Sequence, residues 1–131
     1  MAKRVLVVDD DWDIVQLVKA ALACEGCDIV TAANGAECLL SIEADRPDLL
    51  ILDVAMPVLG GYQVLHLIRE KPELAALPVI MLTARRADQD VARSLTDGAD
   101  LHLSKPFETR ELIAAARALL AAETNDSGPA E

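Results

Sequence analysis

Residues 5–14 read VLVVDDDWDI. Four aliphatic residues run directly into Asp9, Asp10 and Asp11, and Asp13 comes one place beyond Trp12. A short continuous apolar run with polar flanks suits a strand buried on both faces, as in a parallel sheet. Adjacent carboxylates at the rim of a core repel one another and resist burial. The run is therefore either a solvated turn that caps a helix or half of a cation site. The other residues that the fold brings to the same edge decide between them.

Four more apolar runs occur along the chain: IV at 29–30, LLIL at 49–52, VIML at 79–82 and a weaker LHL at 101–103. Between them lie segments of helical period. Ile14, Leu17, Val18, Ala21 and Leu22 mark one face, and Leu112, Ile113, Ala116, Leu119 and Leu120 another. Three less regular helical stretches lie around 35–45 (Ala36, Leu39, Leu40), 61–71 (Val64, Leu65, Ile68) and 88–97 (Val91, Ala92, Leu95), the last with the thinnest apolar face. Glycines and prolines fall at the junctions, among them Gly26, Gly35, Gly60, Gly61 and Pro106. Five strands alternating with five helices predict an α/β fold, an open parallel sheet with helices on both faces. Residues 1–122 form one domain on this reading. Residues 123–131, ETNDSGPAE, lack apolar period and read as a polar tail or the start of a linker.

The 131 residues suffice for one core, and 53% hydrophobic content excludes a disordered chain. A formal net charge of −10 with no Lys/Arg stripe argues against direct nucleic-acid binding, which depends on neutralising phosphates. No apolar stretch approaches the ~20 residues that span a bilayer, and the N-terminus has no signal-peptide pattern. Three cysteines do not make a disulfide framework. A cytoplasmic protein with no membrane partner is expected.

In open α/β sheets ligands bind outside the carboxyl ends of the strands. Those ends carry Asp9 and Asp10 after the first run, Asp53 after the third, Thr83 after the fourth, and Ser104 and Lys105 after the last. Several carboxylates near one point need a cation, and hard oxygen ligands suit Mg²⁺. A nearby lysine offsets their charge and can hold a phosphoryl oxygen. A carboxylate can also be the nucleophile in phosphoryl transfer. Asp53, alone at the end of a central strand, fits that role. Asp9 and Asp10 fit metal ligation, and Thr83 fits hydrogen bonding to phosphoryl oxygens.

Through VLVVDDD at 5–11, LLILDVAMPVLGG at 49–61, VIMLTA at 79–84 and GADLHLSKPF at 98–107, the chain resembles the receiver domain of two-component response regulators. The resemblance covers residues 4 to about 122. It implies a flavodoxin-like (βα)5 fold with strand order 2-1-3-4-5. It makes Asp53 the phosphoacceptor, with Mg²⁺ held by Asp10, Asp53, the main-chain carbonyl of Ala55 and, nearby or through water, Asp9. Thr83 and Lys105 would contact the phosphoryl group, and the Lys105–Pro106 bond would be cis. The implied donor is a histidine kinase or histidine phosphotransfer protein. The implied output, to a downstream effector domain or protein, runs through the fourth helix, last strand and last helix, and dimerisation on phosphorylation is left open. Thr83 and His102 would be the switch residues. His102 stands where an aromatic ring is usual, Gly60 where an acid is common, and Trp12 where proline is frequent. Catalysis would be limited to the domain's own phosphotransfer and slow dephosphorylation. A small-molecule phosphotransferase or hydrolase could use the same carboxylates, but the chain has little length to spare for a substrate lid.

Other features read more plainly. Asp11 suits the N-cap of the first helix and Asp13 its dipole. Cys24 and Cys27 have C-x-x-C spacing but come after a helix instead of opening one, so packing with Gly26 as helix terminator is expected over redox chemistry. Cys38 has no special role, and His66 faces solvent or a partner.

Overall fold

In a computed structural model, residues 3–84 and 98–127 are described. Five strands, β1 (Arg4–Val8), β2 (Asp28–Ala32), β3 (Leu49–Asp53), β4 (Val79–Ala84) and β5 (Leu101–Lys105), pair in parallel in the order β2-β1-β3-β4-β5. Each contains one of the five apolar runs. The helices are α1 (Trp12–Ala23), α2 (Gly35–Ala44), α3 (Gly61–Arg69) and α4 (Thr109–Ser127), with a 3₁₀ turn at Pro72–Leu74. The expected helix around 88–97 lies outside the described residues.

Strand side chains alternate between two cores. Leu6, Val8, Leu50, Leu52, Val79 and Met81 face α2 and α3. Val5, Val7, Leu49, Ile51, Ile80 and Leu82 face α1 and α4. β3 is buried along its whole length, as a central parallel strand must be. The strand starts are anchored by acids that the apolar pattern does not reveal. Asp48 accepts from the Arg4 N–H at 2.8 Å, and Asp100 accepts from the Val79 N–H at 2.8 Å and from Arg69 at 3.2 Å.

The α3 and α4 faces agree with the sequence reading: Val64, Leu65 and Ile68 are buried, as are Leu112 and Ala116. The α1 face is turned slightly, with Val15 buried and Leu17 exposed. The α2 face differs more. Cys38 and Ile42 are buried while Ala36 and Leu40 are exposed, because the helix is entered at Gly35, which lies against Leu59 and Val64 and sets the rotation. Cys38 is thus a core residue, its thiol pushed up to about 12 by burial. Asp11 and Asp13 stand as expected: the Asp11 carboxylate accepts from the Asp13 N–H at 3.0 Å. Gly26 ends α1 at φ 80°, a conformation glycine adopts at no steric cost. Cys24 is exposed and Cys27 half-buried, and both are free thiols. Burial, then the charges of Glu25, Asp28 and Asp48, raise the Cys27 thiol and disfavour the reactive thiolate. The C-terminal helix continues through Ser127, beyond the expected start of the tail at 123. Once a helix is nucleated each added residue costs little, so ETNDS extends it without an apolar face.

Gly61 lets α3 approach the end of β3. A Cβ there would lie 2.3 Å from the Asp53 carbonyl oxygen and 2.9 Å from the Val54 Cα. The Gly61 N–H donates to the Val54 carbonyl at 3.0 Å, so the contact is tied by a hydrogen bond. At Gly60 the nearest atom to an added Cβ is 3.5 Å away. Gly61→Ala is therefore expected to cost about 2–4 kcal/mol in urea unfolding, and Gly60→Ala less than about 1 kcal/mol. Equal losses at the two positions would show that close approach is not what selects glycine at 61.

Candidate functional site

Three strands deliver acids and a base to one edge. The Val8 end of β1 leads into Asp9 and Asp10, β3 ends on Asp53, and β5 ends on Lys105. One carboxylate oxygen from each of Asp9, Asp10 and Asp53 lies within 4.8 Å of the others. Asp9 and Asp53 are buried, and Asp10 is exposed. Backbone geometry fixes the first of these: Asp9 Oδ1 accepts from the Asp11 N–H at 2.9 Å, so one tight turn positions Asp9 and starts the capping of α1. Asp53 Oδ1 accepts from the Ala55 N–H at 3.3 Å.

Lys105 Nζ sits between the buried acids, 2.9 Å from Asp9 Oδ2 and 3.2 Å from Asp53 Oδ1. The second contact is a hydrogen bond. The first, the shorter of the two, is an ion pair with the fully buried Asp9 carboxylate. Thr83 Oγ1, fully buried in β4, has no hydrogen-bond partner. Buried polar atoms are rarely left so unless something binds them.

The charges are out of balance. Burial, then the Asp9 charge, lifts the Asp53 carboxyl to about 6, against the opposing pull of Lys105 and the Ala55 N–H. Burial opposes the Lys105 ammonium, but the two carboxylates outweigh it and hold the group above the usual lysine range. A single ammonium does not neutralise three carboxylates. The oxygen-only donor set and the crowding of three carboxylates fit a small hard cation such as Mg²⁺.

The expected residues Asp9, Asp10, Asp53, Thr83 and Lys105 all lie at the strand ends named for them. Thr83 lies inside β4, not after it, because that strand runs on to Ala84. Ala55 lies two residues after Asp53 and is exposed. The Lys105–Pro106 bond is cis. His102 is half-buried in β5, opposite Met81 in register. It lies outside the acidic cluster, in a shallow depression shared with Pro106, Glu108 and Arg110. In the sequence Gly61 reads only as punctuation. Its role in seating α3 beside Asp53 has a signal in the paired glycines of VLGG, but no spacing rule tells which of the two is constrained.

The family described as the response regulator receiver domain matches residues 5–117. The alkaline phosphatase synthesis transcriptional regulatory protein PhoP of Bacillus subtilis is 40% identical over 120 residues, covering 92% of this chain and 49% of its own length. The DNA-binding response regulator MtrA of Mycobacterium tuberculosis is 37% identical over 131 residues, all of this chain and 55% of its own. The chain thus spans about half the length of the curated relatives it matches. Among solved structures, the chemotaxis protein CheY4 of Vibrio cholerae superposes with a TM-score of 0.85 at 31% identity, covering 91% of this chain and 99% of that one.

The raised Asp53 carboxyl sets a sign for stability. The folded protein binds this proton up to about pH 6, whereas the unfolded chain releases it near 3.8. The native state therefore holds more protons in that window, and metal-free stability from this group falls as pH rises through it. Asp53→Asn is expected to raise metal-free stability at pH 7, with the gain gone by about pH 4. Urea titrations at the two pH values check this. A destabilised variant at pH 7 would show that the charged form is favoured.

Proposed function

The chain belongs to the response regulator receiver domain family, and from that premise we propose that Asp53 is its phosphoacceptor. The observation that carries this is the Lys105 ammonium set between the buried carboxylates of Asp9 and Asp53, with the buried Thr83 hydroxyl left without a hydrogen bond at the same edge. A site with one unbonded hydroxyl and one ammonium beside buried carboxylates is organised for an oxyanion plus a cation.

Asp9, Asp10, Asp53 and the main-chain carbonyl of Ala55 would hold Mg²⁺, which when bound supplies positive charge against the phosphoryl oxygens. The chain's own groups do the rest. An Asp53 carboxylate oxygen attacks the phosphorus of a phosphohistidine on a histidine kinase or histidine phosphotransfer protein. The new P–O bond forms as the P–N bond breaks, and the imidazole nitrogen leaves with the electron pair and takes up a proton. The Thr83 hydroxyl donates to a phosphoryl oxygen, and Lys105 holds another as a point charge.

The product adds charge to an edge already too negative, and that bias drives the switch. Thr83 and His102 lie on adjacent strands, β4 and β5, and connect the edge to the proposed output surface of β5 and α4; the expected helix around 88–97, the third part of that surface by resemblance, lies outside the described residues. An effector domain or protein reads that surface, with dimerisation of two phosphorylated domains one form of readout. The relatives' names place such domains in DNA-binding regulators. With a net charge of −10, this chain is read as the signalling half, without direct nucleic-acid binding of its own. Its catalysis is confined to its own phosphorylation and dephosphorylation. Residues 1–122 are the switch unit, and 123–131 are a polar tail or the start of a linker, helical through Ser127. No helix among the described residues is long and apolar enough to cross a membrane, and we place the domain in the cytoplasm.

Incubation with Mg²⁺ and labelled acetyl phosphate should give an acid-stable, base-labile adduct. Asp53→Asn should abolish it, and chelation of Mg²⁺ should prevent it. Thr83→Ala and Lys105→Ala should each slow labelling by about 10–100-fold, the order expected for loss of one group facing a developing oxyanion. Mg²⁺ should raise the melting temperature of the wild type and not that of Asp53→Asn. Label that survives in Asp53→Asn would move the acceptor elsewhere.

A further inference from the structure

β5 is the strand whose place burial determines least. It lies at the edge of the sheet, hydrogen-bonded to β4 alone, and all five of its residues are half-buried, whereas β3 is buried at every position. Yet its last residue, Lys105, has to meet Asp9 beyond β1 at 2.9 Å and Asp53 on β3 at 3.2 Å. Pairing with β4 fixes the register of β5 from one side only. A reach of that accuracy needs a second support.

Arg69, the last residue of α3, supplies one at the start of β5. Its side chain is 18% exposed, and its planar guanidinium donates in three directions. Nε and Nη2 both donate to the Gly98 carbonyl, at 3.1 and 2.8 Å. Nη1 donates to the Leu74 carbonyl at 3.1 Å, and Nη2 also donates to Asp100 Oδ2 at 3.2 Å. The same Asp100 oxygen accepts from the Val79 N–H at 2.8 Å. One side chain thus joins the end of α3, the 3₁₀ turn, the approach to β5 and the first residue of β4. Gly98 is fitted to this contact: its φ is 99°, and an added Cβ would stand 3.3 Å from Arg69 Nε. Only a guanidinium carries donors in a rigid fork of this kind, and a lysine ammonium cannot span the same acceptors.

α3 runs nine residues, roughly 13 Å, between two fixed points. Gly61 at its start lies against the Asp53 carbonyl, and Arg69 at its end holds the approach to β5. The frame therefore closes on itself. It passes from Asp53 along α3, through Arg69 into β5, and through Lys105 back to Asp53. Arg69 lies at the amino ends of β4 and β5, the far end of the sheet from the acidic edge, and touches none of the groups there.

We infer that Arg69 is a positioning residue for Lys105: it ties the start of β5 to α3 and so sets how closely the ammonium approaches the carboxylates of Asp9 and Asp53. Its effect on phosphotransfer rests on the phosphoacceptor reading of Asp53.

Metal-free crystal structures of the wild type and Arg69→Met test the placement, and labelling by acetyl phosphate with Mg²⁺ tests its consequence. In Arg69→Met, Lys105 Nζ should stand beyond about 4 Å from Asp53, outside ion-pair range. Labelling should slow about fivefold. In a Lys105→Ala background, Arg69→Met should slow labelling by less than about 1.5-fold more, because a residue that acts through Lys105 has nothing left to act on. Val18→Ala, in the buried face of α1, lowers the urea midpoint without touching the clamp and should label within about twofold of the wild type while folded. If Arg69→Met does not fold, Arg69→Lys, which keeps the charge and loses the fork, takes its place in every comparison. Unchanged Lys105 distances in the Arg69 variant would overturn the inference. Losses that multiply in the double variant would do so too, as would equal slowing in Val18→Ala. A wild type that takes no label would instead overturn the reading of Asp53, and the two crystal structures would still decide what places Lys105.

Discussion

The Lys105 ammonium between the carboxylates of Asp9 and Asp53 is the interaction on which the rest of the edge depends. Two buried carboxylates this close would not both ionise without it, since like charges and desolvation act in the same direction. With one ammonium present the pair persists, but Asp53 still sits well above the ordinary carboxylate range. Lys105 makes the cluster tolerable without making it neutral. The residual imbalance leaves the edge net negative, and Lys105 ties β1, β3 and β5 together at the end where their hydrogen-bond ladders stop.

Such a cluster demands a rigid frame. Each charged group lies at the end of a strand or just beyond one, and β1 and β3 deliver theirs from residues buried on both faces. The apolar runs are therefore rulers that set how far each carboxylate reaches. Gly61 brings α3 up against the Asp53 carbonyl, and Asp11 closes the turn that fixes Asp9. At the opposite end of the strands Asp48 and Asp100 anchor the chain by accepting backbone N–H groups. Slack in any of these would loosen the carboxylate spacing, and the spacing is what separates a cation site from three repelling acids.

The strands and the site residues were legible in the sequence because both depend on one strong signal, a continuous apolar run ending at a polar residue. VLVV, LLIL and VIML each point to the charged or hydroxyl residue beside them. Helix rotation was less legible. In α2 the few apolar side chains, Leu39, Leu40 and Ile42, do not fix a face, and it is the missing Cβ of Gly35 and the burial of Cys38 that do. Close approach at Gly61 depends on where α3 sits relative to β3, a tertiary fact that no local pattern contains. The extension of α4 to Ser127 reflects cheap helix propagation, which leaves no mark in the pattern of apolar residues.

These features bear on how a phosphorylated edge could act as a switch. A buried site already satisfied would absorb a new group with little consequence elsewhere. This one holds an unpartnered hydroxyl on β4, an ammonium on β5 shared between two acids, and a carboxylate that resists ionisation. On the proposed reading, phosphorylation of Asp53 gives Thr83 and Lys105 a common new partner, and both are drawn toward it. They sit on the two strands nearest the sheet edge opposite β2, in adjacent register with Ser104 and Ala84. A pull on both strands falls on the one side of the sheet that carries His102 and packs against α4, while β1 and β3 stay fixed by burial on both faces. On the proposed reading, a sheet fully buried at β3 and only half-buried at its edge strand β5 gives the charge imbalance a direction in which to act.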